Sequence, residues 1–136
     1  MGPAALGAYV VVLGLATFLL KVSLENLSAF QINVLMGVAM LLVAVPGVLI
    51  TKGTLSMPLG ELPLGALVAL LMAGGSVLYA LALRDLPAGP TAAIATSYVL
   101  LVVVLSVVFL GETFDVVSAT GVILTLAGVA LLSLRA

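Results

Sequence analysis

The chain has no cysteine and no histidine, and few of its side chains are charged: four Lys or Arg and five Asp or Glu among 136 residues. Without thiols and imidazoles, disulfides, zinc sites of the usual kind and Cys- or His-based catalysis are excluded. Charged residues make up 7% of the chain, against about 25% in an ordinary soluble domain. The net charge of −1 offers no basic surface for nucleic acid. We therefore expect no enzyme, no cofactor or metal, and no nucleic-acid partner.

The charged residues are placed so that long apolar stretches lie between them. Five charge-free windows result: residues 1–20, 26–51, 62–83, 86–111 and 116–134. About 20 apolar residues suffice for a bilayer-spanning helix, and the windows lack the alternation of barrel strands. The sequence therefore predicts an all-α fold, a polytopic transmembrane bundle of five spans in a single domain over 1–136. We place the helices at about 4–21, 28–50, 63–83, 90–110 and 115–134.

Local signals mark the ends of several predicted helices. The first window has the length of a signal peptide, but Lys21 follows the apolar run instead of preceding it, so we expect a retained helix. Ser28 and Gln31 have the spacing of a capping box. Asp115 or Thr113 is expected to cap the last helix.

The few basic residues predict an orientation in the bilayer. The spans place Lys21, Arg84 and Arg135 on one side and Lys52 on the other. The positive-inside rule then favours an outer N-terminus and an inner C-terminus in a prokaryotic cytoplasmic membrane. Because a bias of three to one is small, insertion of copies in both orientations is the alternative.

Small residues follow one face of the last predicted helix: Ser118, Gly121, Thr125 and Gly128. In lipid, such residues allow helix backbones to approach closely and so favour association. The stripe fits either packing inside one bundle or a dimer seam between two chains.

Polar side chains within the spans are the candidates for a binding site, because all five carboxylates are predicted at helix ends. The absence of a mid-membrane carboxylate disfavours a simple carboxylate-driven cation antiporter. The candidates are Lys21, Asn33, Tyr79, Ser97 and Tyr98. Each also has a structural interpretation: snorkelling for the lysine, interhelical hydrogen bonding for Asn33 and the Ser97–Tyr98 pair, and an interfacial aromatic belt for Tyr79.

The second half of the chain carries an ordered series of motifs. It reads Ala82-Leu-Arg-Asp-Leu-Pro-Ala-Gly-Pro-Thr-Ala-Ala-Ile-Ala, then Phe109-Leu-Gly-Glu112, then Gly121-Val-Ile-Leu-Thr-Leu-Ala-Gly-Val-Ala-Leu-Leu132. This combination resembles the EamA domain of the drug/metabolite transporter superfamily. One departure is that many EamA domains have proline within the fourth helix, where this chain has Ser97 and Tyr98. The chain also resembles small multidrug resistance proteins, but more weakly. It lacks the acidic residue that those proteins have in the first helix.

The resemblance implies a transporter of small metabolites, with this chain as one five-span half of a ten-span unit. Inverted repeats surround a central site in many transporters. We therefore expect alternating access by a dimer in the lipid bilayer, either an antiparallel homodimer or a complex with a paralogous five-span partner. The expected cavity-lining and mouth residues are Asn33, Tyr79, Ser97, Tyr98 and Lys21. A flippase subunit for a lipid-linked sugar and a non-transporting accessory subunit are the alternatives.

Overall fold

The computed structural model describes residues 2–50 and 58–134, with side chains from residue 5 onward, and all regular structure in these ranges is helical. Three long helices come first: α1 (Gly2–Ser23), α2 (Ala29–Ile50) and α3 (Leu62–Asp85). Two short helices follow, α4 (Ala88–Ala95) and α5 (Tyr98–Leu105). A π-helical turn over Ser106–Leu110 then precedes α6 (Val116–Ser133).

Five segments of the described chain are long and apolar enough to cross a membrane: Ala5–Ser23, Ala29–Ile50, Leu62–Asp85, Ala88–Leu110 and Val116–Ser133. Their mean hydropathies lie between 2.1 and 2.7. The predicted all-α class with five spans is confirmed. Lys52 and Arg135, two of the four cations behind the expected orientation, lie outside the described residues. The expected orientation therefore stays a prediction. The single domain over 1–136 also stays a prediction.

The first compact unit, Met1–Arg84, contains α1, α2 and α3. Its buried side chains lie where α1 and α3 end and α2 begins: Leu24, Ala29, Ile32, Ala80 and Leu83. At the opposite ends of these helices, side chains such as Leu6, Ile50 and Leu64 are exposed. Such exposure suits a chain in lipid, where apolar character alone does not drive helices together.

A tight turn joins α1 to α2 at the packed end of this unit. The N–H of Ser28 donates to Oε1 of Gln31 at 2.8 Å, and the N–H of Gln31 donates to Oγ of Ser28 at 3.2 Å. This reciprocal pair is the predicted capping box. Because it satisfies two backbone donors that lack helical partners, it fixes where α2 begins.

The second compact unit, Asp85–Ala136, contains the fourth and fifth spans, and α4 packs against α6 within it. The fourth span is less regular than the uninterrupted helix expected over about 90–110, because it is interrupted at Thr96 and Ser97. There the N–H groups of Ser97 and Val99 donate to carbonyls three residues back, both at 3.0 Å, instead of four. The helix therefore tightens locally and restarts at Tyr98.

Hydroxyl groups, and not a proline, account for this interruption. Pro90 lies in the first turn of α4, where its missing N–H has no helical acceptor to lose. Thr96 donates its hydroxyl to the Ala93 carbonyl at 2.6 Å, and Ser97 donates to the Ile94 carbonyl. Such side chains compete with the backbone for helical carbonyls and bend helices.

The fourth span ends in the π-helical turn, which Gly111 closes. Gly111 has φ of 65°, in the left-handed region that strains residues with a Cβ. Its N–H and that of Glu112 both donate to the Ser106 carbonyl, the second at 3.3 Å. The left-handed backbone at this position therefore explains why the Leu-Gly-Glu motif has a glycine here. Beyond it, Asp115 is the N-cap of α6, because its Oδ1 accepts the N–H of Ser118 at 2.8 Å.

Candidate functional site

Asn33 lies in the second turn of α2, at the packed end of the first unit. Its Nδ2 donates to the Ala29 carbonyl at 2.8 Å, and its Oδ1 accepts the hydroxyl of Ser76 on α3. The same hydroxyl is 2.8 Å from the Ala73 carbonyl, so its proton has two acceptors in reach. The geometry matches the interhelical hydrogen bond considered for Asn33. A binding role for Asn33 stays a prediction.

Lys21 lies in the last turn of α1, and its side chain is half-buried. Its Nζ donates to the carbonyl oxygens of Leu83, at 2.7 Å, and Arg84, at 3.0 Å. Both carbonyls belong to the last turn of α3, where carbonyls lack helical donors and carry partial negative charge. The ammonium therefore joins the ends of α1 and α3, a contact that the sequence did not lead us to expect.

Tyr79 lies on α3, three residues after Ser76, and is half-buried. Residues three apart share a helix face. Tyr79 and Ser76, which is the partner of Asn33, therefore lie on the same side of α3.

Ser97 and Tyr98 lie at the interruption of the fourth span. Ser97 is half-buried, whereas Tyr98, the first residue of α5, is 62% exposed. At a helical rise of 1.5 Å per residue, the interruption is about 13 Å from the start of the span. In a span that begins at the edge of a hydrocarbon layer about 30 Å thick, this distance places the interruption well inside the layer.

The five predicted site residues are divided between the two units. Lys21, Asn33 and Tyr79 belong to the first unit, and Ser97 and Tyr98 to the second. Sequence reasoning did not identify Ser76 as the partner of Asn33. The available signal was that each is an isolated polar group in an apolar span, where such groups tend to pair between helices.

Within the second unit, the small-residue stripe of α6 lies outside the face of the helix that packs. All four of its members, Ser118, Gly121, Thr125 and Gly128, are exposed. A Cβ added to Gly121 or Gly128 would meet no atom within 4 Å. The half-buried positions of α6 lie one residue further along: Ala119, Val122, Leu126 and Val129. The face of α6 that packs is thus the neighbouring one, and the stripe is open.

Carboxylates lie at span ends and in connectors, and all five are exposed: Glu25, Glu61, Asp85, Glu112 and Asp115. Within the described ranges, no three of them, with His or Cys, form a group that could hold a metal ion. Hydrogen bonding by Ser118, first through its side chain and then through its backbone N–H, lowers the pKa of Asp115 below its ordinary value. That shift belongs to the cap of α6.

The EamA-like transporter family matches residues 2–134, which include all five spans. In the comparisons with curated proteins and with solved structures, nothing matches.

Proposed function

We propose that this chain, which belongs to the EamA-like transporter family, carries a small metabolite across a prokaryotic cytoplasmic membrane by alternating access. Membership of the family agrees with the resemblance seen in the sequence and supports a membrane transporter of the drug/metabolite type. The five apolar helices support a multi-pass membrane protein.

The interruption of the fourth span is the observation that carries the proposal for the site. In lipid, backbone that departs from the α-helix is tolerated where it is buried in protein or lines a water-filled cavity. Transporters place substrate sites at such discontinuous helices near the middle of the bilayer. Thr96 and Ser97 form an interruption of this kind without a proline. We therefore assign the binding region to Ser97 and Tyr98.

The polar groups proposed for substrate binding are an amide and a phenol in the first unit, Asn33 and Tyr79, and a hydroxyl and a phenol in the second, Ser97 and Tyr98. Groups of this kind recognise a ligand by hydrogen bonds and not by opposite charge. Lys21 is expected at the mouth of the cavity, and its ammonium donates to two backbone carbonyls. The proposed substrate is accordingly a small metabolite with several hydrogen-bonding groups.

The proposed assembly is an antiparallel dimer, with a paralogous five-span partner as the other form. The open stripe of α6 supports a helix–helix seam, because Gly121 and Gly128 leave room for a second backbone. Opposed copies would give the inverted repeats that surround a central transporter site. Each dimer would then present two sets of the site residues.

Transport by proteoliposomes tests the site, with a panel of small metabolites as solutes. We expect Tyr98→Phe and Ser97→Ala each to lower transport by about fivefold to tenfold, the effect of losing one substrate hydrogen bond. Tyr9→Phe is the matched control, because Tyr9 is also an exposed phenol but lies on α1. Unchanged transport by both variants would remove the interruption from the site.

The same preparation separates the alternative functions. Movement of a lipid-linked sugar between leaflets, without flux of soluble metabolites, would indicate a flippase subunit. No flux of either kind, together with constant co-purification of one membrane partner, would indicate an accessory subunit.

A further inference from the structure

In the first unit, Met1–Arg84, the described residues are most buried at one end of the helices. Among the described residues of this unit, the five buried apolar side chains all lie where α1 and α3 end and α2 begins, and they include Leu83, which is 0% exposed. The opposite ends carry exposed side chains such as Ile50 and Leu64. Burial among the described residues of the three helices is therefore concentrated in one layer, which we term the closed end: Leu24, Ala29, Ile32, Ala80 and Leu83.

Lys21 spans the edge of this layer. Its ammonium reaches from α1 to the carbonyls of Leu83 and Arg84 at the end of α3. Hydrogen bonds from a charged donor are stronger than neutral ones. The ammonium also faces the negative end of the α3 dipole. This interaction therefore stabilises contact between α1 and α3 where the buried layer ends.

Arg84 provides a contrast at the same end of the unit. Its side chain is exposed, and only its backbone carbonyl accepts from Lys21 in the hydrogen bonds described. The two cations thus differ in position although they carry the same charge. A substitution at Arg84 removes one charge from this end and leaves the accepting carbonyl in place.

We propose that Lys21 is a latch that keeps the closed end shut, and that this end opens when its ammonium leaves the carbonyls of α3. The proposal rests on the proposed transport function, since alternating access needs an end that closes and opens. Lys21 is then a positioning residue for the conformational change and not a substrate ligand. Release exchanges the two carbonyl acceptors for water or headgroup oxygens, with no covalent step.

Cysteine accessibility tests the latch without any transported solute, because the chain has no natural cysteine. Ala80→Cys places a thiol at a position that is 1% exposed, and Leu59→Cys places one at an exposed position. Both are labelled in lipid nanodiscs with a membrane-impermeant maleimide. We expect Lys21→Met to speed labelling at position 80 by about tenfold, the effect of losing hydrogen bonds to a charged donor. Labelling at position 59 is expected to stay constant.

Two further variants define what the labelling means. Lys21→Arg keeps charge and donors and should preserve protection at position 80, whereas Arg84→Met should leave protection unchanged. Equal acceleration by Arg84→Met would show that net charge, and not the latch, closes this end. Continued protection in a folded Lys21→Met protein would also overturn the proposal.

Acetylation of the unsubstituted protein gives an independent measurement if Lys21→Met does not fold. We expect Lys21 to react with acetic anhydride about tenfold more slowly in nanodiscs than in denaturing detergent, because its ammonium is held on two carbonyls. Equal rates, measured by mass spectrometry, would contradict the latch. A protected Lys21 in a protein that moves no solute would leave the latch standing and reject the transport function instead.

Discussion

Asn33 and Ser76 form a hydrogen bond between α2 and α3, two helices long and apolar enough to cross a membrane. The amide also donates to the carbonyl of Ala29 in its own helix. Every buried side-chain nitrogen or oxygen in the described part of the chain has a hydrogen-bond partner. At the scale of single residues, then, the buried polar side-chain atoms of the described chain are paired, as the cost of an unpaired group in hydrocarbon requires.

A double-mutant cycle measures the strength of the Asn33–Ser76 bond. We expect Asn33→Ala and Ser76→Ala each to destabilise the protein, with a coupling free energy of about 0.6 kcal/mol, typical of hydrogen bonds between transmembrane helices. Unfolding in mixed detergent micelles gives the four free energies. Ser133→Ala is the control, because that hydroxyl donates to the Ala130 carbonyl of its own helix. Additive effects of the two substitutions would show that the bond contributes nothing between helices.

At the scale of elements, helix ends and interruptions follow from a few side chains. Ser28 and Gln31 fix the start of α2, and Asp115 fixes the start of α6. Thr96 and Ser97 bind the carbonyls of the preceding turn and interrupt the fourth span. The two effects share one cause, since short polar side chains hydrogen-bond to nearby backbone groups.

The cap of α6 predicts a dependence of stability on pH. Hydrogen bonding by Ser118 lowers the pKa of Asp115 in the folded protein. The stability that the ionised Asp115 contributes is therefore fully present above the unfolded pKa of about 3.9. It is lost as the pH falls through the lower pKa of the folded protein. We expect Asp115→Asn, which keeps an acceptor oxygen, to weaken this acid dependence in thermal unfolding between about pH 6 and pH 2.

Glu112→Gln is the matched control for the cap, because Glu112 is also an exposed carboxylate in the same connector but is not an N-cap. Its acid dependence should equal that of the unchanged protein. An identical acid profile for Asp115→Asn would show that the cap does not contribute to stability.

At the scale of the whole molecule, the open stripe of α6 bears on assembly. Its two glycines have free space around them, while the neighbouring face of α6 is half-buried. A Cβ added to either glycine meets no atom of the described chain within 4 Å. Substitution at the stripe therefore separates folding of one chain from association of two.

Gly121→Leu and Gly128→Leu test the proposed dimer. We expect each variant to fold but to associate at least about tenfold more weakly, because close approach of helix backbones needs small residues. Energy transfer between labelled copies in liposomes measures association. Gly14→Leu is the control, since a Cβ at Gly14 also meets no atom within 4 Å but lies on α1. Unweakened association in both α6 variants would place the seam elsewhere.

The antiparallel arrangement has its own measurement. Reporters fused to the C-terminus should be found on both sides of the membrane if copies insert in both orientations. A single orientation, together with a parallel cross-linked pair, would reject the antiparallel homodimer and leave a paralogous partner as the proposed form.

The sequence alone determined membrane residence, the five spans and the capping box at Ser28 and Gln31. These features depend on composition and on residues close together in the chain, since a bilayer imposes span length and a cap joins positions three apart. The family resemblance could also be recognised from the sequence, because the motifs between Ala82 and Leu132 follow one another in a fixed order along the chain.

Tertiary structure decided which polar groups meet and which helix faces stay open. Lys21 lies 62 and 63 residues from its acceptors, and Asn33 lies 43 residues from Ser76. The packed face of α6 contains Val122 and not the adjacent Gly121. In lipid, apolar periodicity does not choose a packing face, and contacts between distant residues depend on how the helices approach one another. These contacts and packing faces could therefore be identified only in the folded chain.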